Sequence, residues 1–542
     1  MTEHKRGRWI FFVVPIFLLS IGLIAVEAAH MGIDSDRANH LLQAKDLADG
    51  NLFLSGWNLT KAHFLTTDLF AYFIGYVFGG GLGYRAASLT YTVMYVALLL
   101  VTLIAAFRAL PAEEGRGYRW FSVTALLYLC IPGWYLMGVG RIHVIAYVYC
   151  IIAMLLASSL LRQTASGSSL SEGRLKALFL LLTVGSFGDV LVFLYAALPI
   201  LLFVIWRRIS KKAGKDELRL AFLTALSLPV SLVLDFLYYR IGGADKNGTV
   251  LSAGLSSPRI WGERIVSLVQ TIFRFAEGDP AGLPLLSFYT FLVLCNAVLV
   301  LFSLFLTGRS LIRFLLGKAE DPPSVMLAFS VVIAAGIYVF TGRSEVRYLE
   351  LIAIGLMIIL VRNAYRLFEG RKRSAVFRVI LTVLLWLAAA GRLNEFVKGV
   401  QINAGIEARQ TEEGSRLCRT LRENGCRNGY ASFWNASVNT VLGGGEVTVR
   451  HISLADPGNG SAPVMQMYRW FNKNEWYEEP ANFVIIDDTA GDGGASDDFG
   501  ISEENCIAFF GVPAQRLREG RYILLIYDCD LSQKLYLTAA PK

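Results

Sequence analysis

The chain has 542 residues, 54% of them hydrophobic, with 51 Lys and Arg against 43 Asp and Glu and a formal net charge of +8. That much apolar surface exceeds what one soluble core can hide, which excludes a single water-soluble domain and points to a polytopic, mainly α-helical membrane protein. Most Lys and Arg fall in short loops between apolar runs, so the positive balance is a topology signal and not a nucleic-acid footprint.

Lys5, Arg6 and Arg8 precede an apolar run from Trp9 to Val26 that looks like a signal peptide. At about 20 residues it is long enough to cross a bilayer, and it reads as an uncleaved first span with its basic flank in the cytoplasm. Asp34, Asp36 and Arg37 then emerge on the external side. Residues 36–49 read as an amphipathic helix lying along the interface, with Ala38, Leu41, Leu42 and Ala48 at helical spacing and Gly50 placed to end it. His63 and Asp68 follow. Leu69 to Phe78 reads as an interfacial or re-entrant helix and Tyr84 to Phe107 as the next span, so the first external loop covers residues 30–83.

Beyond that loop, apolar runs and basic loops alternate. His143 lies in an external turn, Asp189 in a second, and Arg343 and Arg347 in a third, while Arg207, Arg208, Lys211, Lys212 and Lys215 make a strongly basic internal loop. The long external loop over 240–283 carries another interfacial helix, Ile260 to Phe275. The tally is about eleven spans. An odd number puts the two termini on opposite sides, so with the basic N-terminus in the cytoplasm everything after residue 394 lies outside. Asp34, Asp36, Arg37, His63, Asp68, His143, Asp189, Arg343 and Arg347 therefore map to one face.

Residues 1–394 thus form the transmembrane domain and 395–542 an extracytoplasmic α/β domain. The latter has a helix over Ala404 to Glu423 and strands over Tyr430 to Trp434, Glu446 to His451, Asn482 to Ile486 and Arg521 to Tyr527. Its cysteines are expected to pair as Cys418 with Cys426 and Cys506 with Cys529. Cys130, Cys150 and Cys295 fall in spans and read as packing residues. No zinc-type spacing, Walker loop or dinucleotide fingerprint is present.

An acidic loop at the outer membrane face suits glycosyl transfer from a lipid-phosphate sugar, because such a donor keeps its tail in the bilayer and presents its anomeric carbon at the interface. Phosphate leaves without being protonated, so one carboxylate base on the acceptor and cations on the phosphate suffice. Glycoside hydrolases typically need a second carboxyl group as acid. Asp34, Asp36 and Asp68 are the candidate catalytic acids. Arg343 and Arg347, four apart, would share a helix face suited to the donor phosphate, or else pair with Glu345 or Glu350. His63, His143 and Asp189 are candidate substrate-binding residues, or polar residues satisfied at helix ends. Each acid also has a plainer reading as a helix cap. Asp34 and Asp36 could hold a divalent cation, although two carboxylates do not specify one. A transporter or flippase is the competing class, with Asp235 its one candidate intramembrane acid, and an inactive scaffold is a third.

The segment Asp34-Ser35-Asp36-Arg37, just after the first span, resembles the first external loop of the GT-C superfamily, in particular protein O-mannosyltransferases and lipid A aminoarabinose transferases. The stretch from Leu41 to Trp57 also looks like that loop of bacterial members. The resemblance implies a multi-pass glycosyltransferase of the cytoplasmic membrane that uses a polyprenyl-phosphate sugar. Its acceptor would be a lipid, glycan or protein, and membrane lipids, not nucleic acid, would be its other partners. Carried over by position, Asp34 matches the catalytic acid and Arg37 the basic residue of the loop, read here as a donor-phosphate contact. Ser35 stands where the second acid commonly follows the first, and Leu65-Thr66-Thr67-Asp68 stands near the place of a Lys-Pro-Pro segment. Sugar and acceptor therefore do not follow from the resemblance.

Overall fold

Apolar runs become helices throughout the computed structural model, which describes residues 3–60, 62–108, 116–139, 142–246, 254–318, 320–341, 345–367, 374–455, 463–489 and 499–535. In chain order α1 is Glu3–His30, α2 Ser35–Ala48, α3 Asp68–Gly79, α4 Tyr84–Phe107, α5 Arg116–Cys130, α6 Trp134–Val139, α7 Val144–Ala165, α8 Glu172–Gly188 and α9 Leu198–Ile209. They continue as α10 Lys215–Ile241, α11 Trp261–Phe275, α12 Phe288–Leu315, α13 Pro322–Phe340, α14 Glu350–Leu367 and α15 Ser374–Glu423. Among the described residues, eight segments are long and apolar enough to cross a membrane: α1, α4, α5 with α6, α7, α10, α12, α13 and α15. The tally of about eleven is reached only by counting α8, α9 and α14, which are shorter or less apolar but pack within the same bundle.

A π-helical turn, Phe193–Ala197, leads into α9. Pro199 has no N–H to give the Tyr195 carbonyl one turn back, and Ser330 Oγ supplies a hydrogen bond there instead, at 2.7 Å. α3 has 12 residues, roughly 18 Å of helix, too short to span. It turns back at Gly80 and Gly81, both at positive φ, and packs closely on α4. A Cβ at Gly75 would lie 1.9 Å from Thr90 Oγ1 and 2.6 Å from the Ala86 carbonyl, and one at Gly79 would lie 2.6 Å from Ala86 Cα. Small residues four apart are what permit this contact.

α2 is covered on both sides: Ser35 and residues 37–44 are buried, beneath the C-terminal domain on one side and α3 on the other. Asp49 caps its end, and Gly50 at φ 101 follows. α15 runs unbroken for 50 residues, about 75 Å, and position 394 falls inside it.

The C-terminal part adds α16 Phe433–Leu442 and α17 Glu503–Phe510. Its strands are β3 Asn428–Ala431, β4 Thr448–Ala455, β5 Val464–Met467, β7 Phe483–Asp487, β8 Gln515–Glu519 and β9 Tyr522–Ile526, numbered after β1 Trp57–Leu59 and β2 Asp245–Lys246, with β6 at Asn472–Lys473. They form a six-stranded sheet ordered β5-β4-β3-β7-β9-β8, with β3 parallel to β4 and β7 and the other pairs antiparallel. The four expected strands are β3, β4, β7 and β9; β5 and β8 are additional, and Trp434 sits in α16. All seven cysteines are free, so neither expected disulfide forms; Cys506 is buried in the core of the domain while Cys529 is exposed. A second sheet, β2-β1-β6, ties the first external loop to the segment after α10 and to the C-terminal domain. Asn58 Nδ2 donates to Asn472 and Asn474, each at 2.7 Å.

Candidate active site

Asp34 sits in extended backbone after α1, φ −106 and ψ 174, and caps α2. Its Oδ1 accepts from the Arg37 amide at 3.1 Å and its Oδ2 lies 3.2 Å from Arg37 Nε. Arg37 is fully buried, stacked 4.6 Å over the Tyr91 ring, and donates Nη1 to the Gly32 carbonyl. The Asp-X-X-Arg spacing is thus a local clamp that fixes the carboxylate on a rigid helix start. The Asp34 side chain stays 29% exposed, the most open of the three candidate acids.

Asp36 faces another partner. Its Oδ2 is 3.1 Å from Arg347 Nη1, and Arg347 Nη2 pairs with Glu345. Arg347 lies on a 3-10 turn, Val346–Leu349, whose Arg347 carbonyl accepts the Tyr147 hydroxyl at 2.7 Å. Burial, and then the charge of Asp34, push the Asp36 carboxyl up to about 6, with Arg347 opposing. The Asp36 and Arg347 side chains are 15% and 25% exposed, so the pair borders the accessible region. Arg343 lies outside the described residues.

Asp68 opens α3 but serves α7: its two oxygens accept from the amides of His143 and of Ile145, the latter at 2.8 Å. His143 has left-handed backbone, φ 74, and its Nδ1 is 2.5 Å from Asp189 Oδ2, while Asp189 Oδ1 accepts the Leu191 amide at 3.0 Å. Asp68, His143 and Asp189 therefore form one buried cluster knitting the starts of α3 and α7 to the turn after α8. Burial raises the Asp68 carboxyl to about 6. His63 is turned elsewhere, toward Asp235 at 4.0 Å, packed by Phe187 and Tyr238, with its Nδ1 accepting the Leu65 amide at 3.2 Å.

His40 and Glu350, not singled out from the sequence, join this region, and so does Tyr468. His40, one turn after Asp36 on α2, is buried 5.1 Å from Phe64, which in turn lies 5.1 Å from His143. Burial lowers its imidazole to about 4 despite a 2.9 Å bond to Gln43, so it is neutral near pH 7. Glu350, one turn after Arg347, is fully buried near Asp68 and Arg347, and neither of its oxygens has a hydrogen-bond partner among the described residues. Tyr468 comes from the C-terminal domain; burial, and then the nearby Asp36 charge, raise its phenol. Helical spacing from Asp36 and Arg347 could have flagged His40 and Glu350. Tyr468 belongs with Trp434, Trp470, Trp476 and Tyr477 to the tail aromatics that the sequence offers either as core or as a cover over the donor site.

Among the described residues no three His, Cys, Asp or Glu side chains converge to hold a metal ion. Asp34 and Asp36 point at separate arginines, so they do not present a shared cation cradle.

No family model matches the chain, and no curated protein matches its sequence. Solved structures do match. ArnT from Cupriavidus metallidurans in the apo state is similar over 96% of this chain and 98% of that one, with a TM-score of 0.54 and 12% identity. The same protein bound to undecaprenyl phosphate is similar over 95% and 97%, with a TM-score of 0.52 and 11% identity. The chain shares the fold of that protein. The likeness extends through the C-terminal domain as well as the bundle, and at this identity it is a likeness of fold. The chain is an integral membrane protein of that architecture, as its first loop suggests.

Proposed function

We propose that the chain transfers a sugar, a hexose or a pentose, from a polyprenyl-phosphate donor to a lipid, glycan or protein acceptor at the outer face of the cytoplasmic membrane. The base is Asp34. It takes the proton of the acceptor hydroxyl or amine as that group attacks the anomeric carbon, and the bond to the phosphate oxygen breaks on the opposite side, inverting the centre. The phosphate departs with the bonding electrons and needs cations, not an acid. Arg347, steered by Asp36 and Glu345, supplies one, with Arg343 as its proposed companion. Arg37 acts through Asp34, which it holds. Asp68, His143 and Asp189 fix the frame around them, and His63 supports the loop from its pairing with Asp235.

The observation that carries this reading is a clamped, partly open carboxylate, Asp34, two residues before Asp36, whose ion-pair partner Arg347 has similar access. A protein of the same fold binds undecaprenyl phosphate, which supports a polyprenyl-phosphate donor. The test is reconstitution in lipid with a panel of polyprenyl-phosphate hexoses and pentoses. Donor-dependent release of polyprenyl phosphate and an inverted anomer in the product, read by NMR, are expected. No turnover with any donor, together with lipid or solute movement across the vesicles, would make the chain a transporter.

A further inference from the structure

A cavity of about 340 Å³ lies at the end of the bundle remote from Asp34, where the C-terminal ends of α7, α9 and α12 meet the start of α13. α13 has 19 residues, which puts this cavity roughly 28 Å from the end that leads to Arg347. Arg162, Lys212 and Lys318 line it, with Phe203 and Phe314 stacked at 4.6 Å as an apolar wall.

The charges around it do not cancel. Glu217 is bound by Arg207 through two bonds of 2.8 Å, Glu320 by Arg313, and Asp321 by Arg362 at 2.6 and 2.9 Å and Arg366 at 3.2 Å. Among the described residues, that leaves Arg162, Lys212 and Lys318 with no carboxylate within ion-pair distance; Arg162 Nε and Lys212 reach only the carbonyls of Ser158 and Gly317. A second, independent feature is Trp206, which lines the same cavity and whose indole N–H is buried with no hydrogen-bond acceptor among the described residues. A buried donor without an acceptor is costly, so an oxygen-bearing ligand at this place would be favoured. Ile205, Ile209, Ile312 and Leu316 stand exposed on the same helix ends, forming an apolar exit toward the bilayer.

We propose that this cavity binds the phosphate head of an anionic glycerophospholipid, of the cardiolipin or phosphatidylglycerol class, from the leaflet opposite the Asp34 site. The three cations meet the phosphate, Trp206 donates to a phosphate or ester oxygen, and the acyl chains leave over the aromatic wall and the exposed isoleucines. A free anion would use the cations but gain nothing from the apolar exit. Basic pockets between helices at a membrane face suit lipids of this kind. The occupied site would join α7, α9, α12 and α13, whose other ends carry His143, the Asp189 turn and Arg347.

Native mass spectrometry of the purified, delipidated full chain tests this, with cardiolipin, phosphatidylglycerol and phosphatidylethanolamine of matched acyl chains and with inorganic phosphate. One anionic lipid per chain, retained at least about tenfold more strongly than phosphatidylethanolamine, is expected. The double variant Lys212→Gln/Lys318→Gln should lose that preference and Trp206→Phe should weaken it several-fold, while Arg219→Gln, an exposed charge paired with Glu172, leaves it unchanged. Equal binding of the three lipids by the parent protein would overturn the proposal even if the variants misfold. So would a preference that survives the double variant, or displacement of the lipid by millimolar inorganic phosphate, which would mark a soluble-anion site.

Discussion

Protonating Asp36 would release Arg347 from one of its two carboxylates and leave it with Glu345 alone. Burial and the neighbouring Asp34 place that protonation near pH 6, so transfer is expected to be full above it and to fall as pH drops through it. The stability effect runs the other way. A raised carboxyl favours its neutral form in the fold, so the contribution of Asp36 is greatest in acid and is lost as pH rises from the ordinary carboxyl value of 3.8 to about 6. The check is the pH profile of kcat/KM: its acid limb should shift or vanish in Asp36→Asn, and an unchanged limb would assign it to another group. Asp68 belongs with stability, because its oxygens hold two amides at the start of α7. Asp68→Ala should cost about 1–2 kcal/mol, read as a lower melting temperature in detergent, with Asp68→Asn recovering part of the loss. Lost turnover without lost stability would instead move Asp68 into the chemistry. The Asp34 clamp was legible because its partner is three residues away; Arg347 is 311 residues from Asp36, and no local pattern reports that contact.

At the scale of elements, the crossing of α3 on α4 depends on the absence of side chains. At Gly75 an added Cβ meets both the Thr90 hydroxyl and the Ala86 backbone, and the backbone cannot rotate away. Gly75→Ala is therefore expected to destabilise by about 1–3 kcal/mol, as overpacking does, whereas Gly173→Ala, with open space around it, should not. Thermal unfolding of the two variants in one detergent checks this; equal melting temperatures would contradict the close crossing. α3 and α11 could be anticipated, since apolar runs too short to cross a bilayer stand out. The continuity of α15 could not, because the change from apolar to polar residues near 394 marks where a chain leaves the membrane, not where a helix ends. The absence of proline from Ser374 to Glu423 permits one continuous helix but does not require it.

Across the whole molecule, the first external loop and the C-terminal domain form one packed unit. Ser35 Oγ donates to the Phe433 carbonyl and Ser437 Oγ to Asn39 Oδ1, both at 2.6 Å, and Phe471 belongs to the same apolar core as α2, α3 and α4. This explains why α2 is buried: its covering partner lies 398 residues later. It also explains how Tyr468 comes to stand beside Asp36. The membrane class and the α/β character of the tail were legible in composition and periodicity; the docking of the tail onto α2 required the fold. The account rests on Asp34 as the base, and the most direct test is single-turnover transfer from a polyprenyl-phosphate sugar by Asp34→Asn in lipid, beside the parent protein at equal folded concentration. The account predicts a rate lower by about 10²–10⁴-fold, with donor binding retained. A rate within a few-fold of the parent would contradict it.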